Sequence, residues 1–280
     1  MPVLSEHEET LLKEAAASIR KDVVRMIGVA RSGHLASSLS IVEIMAWLYW
    51  HILNVKPEDP MWAERDRLVL SKGHGCPALY AALANRGFFD REELWNYRRL
   101  GTMLQGHPLV NRTPGIDASS GSLGMGLGVA NGIALGLRMR GLDSRVFCIT
   151  GDGELQEGAI WESAMTSTHY KLSQLTVIVD RNNTQMEGSV DQIMSIEPLK
   201  DKFIAFGWQV AEADGHDFQS LERAFVKKNA EKPLAIIART VIGKGVSFLE
   251  GQRYKASMVL TRDLVDKALR ELDSGGALLL

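Results

Sequence analysis

An aspartate held between two glycines, Gly151-Asp152-Gly153, closes a short apolar run rich in β-branched residues, Val146 to Thr150. A run of that kind stopping at glycines reads as a buried strand and a tight turn. After 28 further residues comes Asn182-Asn183, just beyond a second apolar run, Leu175 to Val179. Carboxylate and amide oxygens suit a hard divalent cation such as Mg2+. That ion commonly takes one or two protein ligands and completes its octahedron with phosphate oxygens. Asp152 offers the carboxylate, Asn182 an amide oxygen and Thr184 a backbone carbonyl. The glycines let a phosphate approach the backbone closely, and a helix N-terminus near Gly153 favours its charge. Taken alone, the Gly-Asp-Gly turn is a common strand-to-helix connection. Two such turns at this spacing, each at a strand end, point to a metal and diphosphate site.

Three histidines sit in small, polar loops where a side chain can reach a ligand. His34 follows Arg31-Ser32-Gly33, His74 lies inside Ser71-Lys72-Gly73-His74-Gly75, and His107 lies in Gly106-His107-Pro108. Each alone has a plainer reading: a surface or cap residue for His34, a helix cap for His74 and a solvent-facing turn for His107. Flanking glycines leave His74 free of neighbouring side chains, which suits a ligand contact.

The elements that must position these residues follow from periodicity. Ser5 to Val29 reads as an amphipathic helix opened by a Ser5/Glu8 capping box. A small polar loop, 34–38, is expected to form a site rim ahead of a helix over Ile41 to Asn54. Asp66 to Leu70 reads as a strand, followed by helices from near Pro77 to Arg86 and over Arg91 to Leu100. The glycine-dense stretch 113–136 fails as a dinucleotide fingerprint: no strand precedes Gly126-x-Gly128, and Asn131 follows it. It reads instead as a loop, Ser119 to Gly124, feeding a helix of small residues that pack within the domain or against another subunit. Glu157 to Tyr170 has helical spacing between the two central strands, making a βαβ unit with parallel strands. Trp208 to Ala211 and Leu234 to Arg239 read as further strands around a helix over Phe218 to Asn229, and Thr240 to Gly245 as a glycine loop with Lys244. A helix over Arg262 to Leu272 ends the pattern. Alternating strands and helices predict an α/β fold, a doubly wound parallel sheet with helices on both faces. One domain over residues 1–272 and a flexible tail over 273–280 are expected. Ligands of such sheets bind beyond the carboxyl ends of the strands, where Asp152 and Asn182 fall.

Bulk properties narrow the classes. With 280 residues the chain can bury a sizeable core. A net charge of −2 gives no reason to expect nucleic acid or an anionic membrane as partner. Cys76 and Cys148 make neither a disulfide framework nor a zinc site, so a cytoplasmic protein is expected. Glu6, Glu8 and Glu9 near the N-terminus, with no apolar run, argue against a signal peptide.

Several stretches together resemble one family. Ser32-Gly33-His34, Ser71-Lys72-Gly73-His74-Gly75, Leu104-Gln105-Gly106-His107-Pro108, the stretch 113–136, Gly151 to Glu157 and Val179 to Gly188 are similar to the N-terminal, diphosphate-binding half of transketolase. The likeness covers roughly residues 10–250 in matching order, although transketolases are usually more than twice this length. It implies thiamine diphosphate with Mg2+ or another divalent cation as cofactors. Asp152, Asn182 and the Thr184 carbonyl would hold the metal. His74 and the backbone around Gly153 and Glu154 would bind the diphosphate, with Asn182 touching both. Gly121, Ser122 and Leu123 would lie against the aminopyrimidine. His34 and His107 would be catalytic, facing a sugar phosphate, and Glu157 would sit at a subunit contact. The resemblance also implies a partner: a separate C-terminal subunit with the pyrimidine-binding and C-terminal domains, in an α2β2 heterotetramer. The glutamate that activates the cofactor belongs to that half, so this chain alone is expected to be inactive. A family histidine is missing near residues 250–258, where Arg253, Tyr254 or Lys255 would have to substitute; its loss points to a specialised ketose phosphate. Rival readings are a non-catalytic subunit with this fold, and the α-subunit of a 2-oxo acid dehydrogenase first component, which lacks this set of histidines.

Overall fold

The computed structural model describes residues 3–226, 228, 231–252 and 259–273. Helix α1 spans Glu6–Ala30, and its start is the expected reciprocal cap: Glu8 N–H donates to Ser5 Oγ, and Ser5 N–H donates to the Glu8 carboxylate. Strands β1 (Arg67–Leu70), β2 (Val146–Gly151), β3 (Leu175–Arg181), β4 (Gln209–Asp214) and β5 (Leu234–Arg239) form one sheet in the order β1-β2-β3-β5-β4. Every pairing is parallel, so all five carboxyl ends lie along one edge.

Strands β1, β2, β3 and β5 are largely apolar on both faces, as a sheet covered on both sides requires, whereas the edge strand β4 carries Glu212 and Asp214. Leu68, Leu70, Phe147, Ile149, Ile178 and Ile236 join one buried cluster with α1, α3 (Val42–Trp47), α4 (Cys76–Asn85), α9 (Phe218–Phe225) and α10 (Arg262–Asp273). Val69, Val146, Cys148, Val177, Val179 and Ile237 join a second, with α5 (Gly126–Met139), α6 (Gly158–His169) and α8 (Leu199–Ala205). Alternate residues of one strand thus feed opposite layers. The doubly wound α/β sheet read from the sequence is the fold observed.

Several local expectations are corrected. Residues 34–38 are no open rim: Leu35–Leu39 form α2, entirely buried, because Leu35 and Leu39 drive it into the core and Ser38 Oγ bonds back to His34 O at 2.8 Å. The helix expected over Ile41 to Asn54 stops at Trp47 and widens into a π turn, Leu48–Ile52. A 3₁₀ turn, Arg91–Asn96, replaces the helix expected to reach Leu100: the backbone leaves helical geometry at Tyr97, with ψ 132°, and turns left-handed at Arg98, with φ 61°. The α7 turn (Val190–Ile193) and α8 carry too few turns to show periodicity and went unforeseen. Strand β4 begins after Trp208, whose indole instead donates to Ala164 O at 3.0 Å, and runs on to Asp214. Helix α9 ends at Phe225, capped by Val226, short of the expected Asn229. Asn229, Arg253, Tyr254, Lys255 and the tail from Ser274 onward lie outside the described residues.

Candidate functional site

Register places the Asp152 turn and the Asn182 turn side by side. Gly151 at the end of β2 pairs with Asp180 of β3, so Asp152 and the 182–184 turn emerge together. Asp152 is 1% exposed, and Asn183 N–H donates to its Oδ2 at 2.6 Å. Asn183 takes φ 54°, a left-handed conformation that asparagine tolerates well. The Thr184 carbonyl lies 3.8 Å from where a β-carbon on Gly153 would stand, while Gln185 would be only 2.9 Å away, so glycine is required there.

The donors are oriented by their own hydrogen bonds. Asn182 commits its Nδ2 to Asp180 Oδ2 at 2.9 Å, which leaves Oδ1 as the outward atom, accepting from Thr184 N–H at 2.9 Å. Oδ2 of Asp152 is shared by Asn183 and by Arg181 Nη1 at 2.9 Å, whereas Oδ1 accepts from Gly153 N–H alone. Oδ1 of Asp152 and Oδ1 of Asn182 therefore keep lone pairs for a cation. Burial and the neighbouring Asp180 push the Asp152 carboxyl up to about 6 despite Arg181, so a cation here relieves a real electrostatic cost.

Beneath the turns lies a buried ion pair that the sequence reading left unassigned. Lys72 Nζ meets Asp180 Oδ2 at 2.5 Å and donates to Ser37 O at 3.0 Å, and both side chains are essentially inaccessible. Ser40 Oγ (2.8 Å) and the Thr240 hydroxyl complete the shell of Asp180. Burial opposes ionisation of Asp180, but Lys72 outweighs it and holds the carboxyl below its ordinary value. The pair joins the end of β1, which carries His74, to the end of β3, which carries Asn182.

Glu154 also braces the frame. Its carboxylate accepts from Gly124 N–H at 2.8 Å, Gly151 N–H at 3.0 Å and the Ser71 hydroxyl, so it is turned toward the protein. This fixes the Gly121-Ser122-Leu123 turn, which is exposed, against the ends of β1 and β2. Gly124 closes the turn at φ 85°, and a β-carbon there would strike the Glu157 β-carbon at 2.7 Å.

The three histidines meet around the loop that follows β1. The rings of His34 and His74 are 5.3 Å apart. His107 lies 3.1 Å from a notional β-carbon on Gly73 and 4.0 Å from one on Gly121, so it faces both the His74 loop and the exposed turn. Burial and the Lys72 charge push His74 down to about 3. Burial, then Arg98, lowers both His34 and His107. All three imidazoles are thus neutral at physiological pH, each with one N–H donor and one bare nitrogen. Arg98, which sequence patterning left unnoticed, sits between the His34 and His107 loops.

Buried polar atoms left unpaired cost about 1–3 kcal/mol each, and His34 Nδ1 and Ser120 Oγ are two of them. An orphaned hydroxyl beside Gly73, at Ser120, and an orphaned ring nitrogen on His34, against His74, suit a polar ligand, and the oxygen donors at Asp152 and Asn182 suit a diphosphate-bound cation. The residues present fit such a group.

Comparison with known proteins agrees. The family described as transketolase, thiamine diphosphate binding domain, matches residues 11–273. The chain is 44% identical over 268 residues to the 6-deoxy-6-sulfo-D-fructose transketolase subunit SqwG of Clostridium sp. (strain MSTE9), covering 95% of this chain and 98% of that protein. It is 38% identical over 255 residues to one of the subunits of the apulose-4-phosphate transketolase of Phocaeicola vulgatus, covering 90% of each. The crystal structure of transketolase from Campylobacter jejuni superposes with a TM-score of 0.88 at 34% identity, covering 94% of this chain but 43% of that one.

Proposed function

This chain belongs to the transketolase thiamine-diphosphate-binding family, and on that premise we propose that it is the N-terminal subunit of a two-chain transketolase. It transfers a two-carbon ketol unit from a ketose phosphate to an aldose. The observation that carries this reading is the convergence of Asp152, Asn182 and Thr184 beside three neutral histidines at one edge of a parallel sheet. When bound, thiamine diphosphate would supply the nucleophilic carbon and the electron sink for transfer of the two-carbon unit.

The chain's own residues hold, orient and move protons. Asp152, Asn182 and the Thr184 carbonyl hold Mg2+; His74 and the backbone at Gly153 and Glu154 take the diphosphate; Gly121, Ser122 and Leu123 face the aminopyrimidine. His34 and His107 orient sugar hydroxyls, and their neutral imidazoles accept a proton as one is released and return it later. The second chain carries the pyrimidine-binding and C-terminal domains, in an α2β2 assembly in the cytoplasm. Exposed Met125, which caps α5, and Val129 on its first turn, at 55% and 38%, support burial of that face on assembly, with Glu157 nearby. Among the described residues no helix is long and apolar enough to cross a membrane.

The substrate is a specialised anionic ketose. Two subunit-length relatives are named for a sulfonated fructose and for apulose 4-phosphate, and no histidine follows His216 in this chain. The test is ketol transfer by this chain mixed with its partner, over a panel of phosphorylated and sulfonated ketoses. Turnover only in the mixture, with a strong preference for one unusual ketose, is expected. Ordinary xylulose 5-phosphate turnover at rates typical of transketolase would refute the specialised substrate, and no transfer from any ketose would refute the activity.

A further inference from the structure

Among the described residues, Arg98 is the charged side chain that touches the loops of both His34 and His107. Its Nη1 donates to Ser32 Oγ at 2.6 Å, two residues before His34. Its Nε donates to Tyr97 Oη at 3.1 Å, and its backbone N–H donates to Leu104 O at 2.9 Å, closing the loop that leads to His107. The guanidinium packs on Gly106: a β-carbon there would lie 3.0 Å from Nε and 3.1 Å from Nη2. Among the described residues no carboxylate pairs with it. The residue also holds φ 61°, a conformation costing a β-carbon-bearing residue roughly 1 kcal/mol or more and concentrated at functional sites.

We propose that Arg98 is a positioning residue for the substrate-facing histidines, its unpaired guanidinium bracing the His34 loop against the His107 loop and holding a fixed positive charge between them. The proposal rests on the reading of His34 and His107 as substrate-facing. A nearby cation disfavours imidazolium, so the brace keeps both rings neutral and able to accept a proton. After burial, Arg98 is the largest influence on each ring. His34 also faces His107, His74 and Lys72. His74 owes its state to burial, Lys72, His34, Asp180 and His107 instead, which makes it an internal control.

The test is NMR titration of the imidazoles in the full chain, with resonances assigned through single His→Gln variants. Arg98→Gln keeps hydrogen-bonding capacity and loses the charge. His34 and His107 are expected to titrate at higher pH than in the wild type, while His74 stays neutral over the accessible range. Arg98→Lys, which keeps the charge, is expected to leave all three as they are. Unmoved His34 and His107 in a folded Arg98→Gln protein would overturn the proposal. So would a parallel rise of His74, which would mean that the site had merely opened. Should Arg98→Gln fail to fold, upward shifts in a folded Arg98→Lys protein would overturn it equally. The titration needs no cofactor, sugar or partner, so its failure is distinct from failure of the transketolase reading.

Discussion

His74 shows how the site stores an electrostatic cost that function can use. Folded, it stays neutral down to about pH 3 through burial and the Lys72 charge, whereas unfolded it takes a proton near 6.5. Between those values the unfolded state binds more protons. Stability is therefore complete above pH 6.5 and falls as pH drops, by at most about 1.4 kcal/mol per pH unit. Denaturant unfolding at pH 7 and pH 5 checks this: His74→Gln should lose roughly 1–2 kcal/mol less than the wild type. Equal losses would show that His74 is protonated in the folded chain. Asp152, Asn182 and the histidines were legible because glycines and strand ends flag them. Lys72, Asp180 and Arg98 were not, because their roles depend on partners 108 residues apart for the ion pair and 66 apart for Arg98 and Ser32. No local pattern encodes such distances.

At the scale of elements, the glycines of α5 divide into two kinds. Gly126 faces β1 so closely that a β-carbon would overlap Ser71 Oγ and stand 2.7 Å from Ser71 Cα. Gly126→Ala must push α5 off the sheet and is expected to cost about 1–3 kcal/mol. Nothing lies within 4 Å of a β-carbon at Gly132, so Gly132→Ala should stabilise the isolated chain by up to about 1 kcal/mol through helix propensity. Thermal unfolding of both variants reads this directly, and destabilisation by Gly132→Ala would contradict the open face. The helix as a whole was legible from its spacing, yet intradomain packing and exposure proved to occupy different faces of it, with Leu127, Ala130, Ala134 and Leu137 buried and Val129 exposed. Strands were legible from apolar runs bounded by glycine. The π turn after Trp47 and the 3₁₀ turn before Arg98 were not, since both depend on tertiary packing.

At the scale of the molecule, the proposed function makes this chain one edge of a reaction site, with metal donors at Asp152, Asn182 and Thr184, a diphosphate cradle and substrate-facing histidines. The chain spans 43% of the Campylobacter jejuni transketolase it superposes on. On the proposed reading the remaining wall comes from a second chain, and the isolated protein should show no ketol transfer in a coupled assay until that chain is added. Calorimetric titration of thiamine diphosphate in the presence of Mg2+, with and without the partner chain, tests the central claim most directly when wild type is compared with Asp152→Ala. Saturable binding that requires the partner and falls by at least about 100-fold in Asp152→Ala is predicted, as expected for loss of a metal-ligating carboxylate. Absence of binding by the wild-type pair, or binding that Asp152→Ala leaves intact, would contradict it.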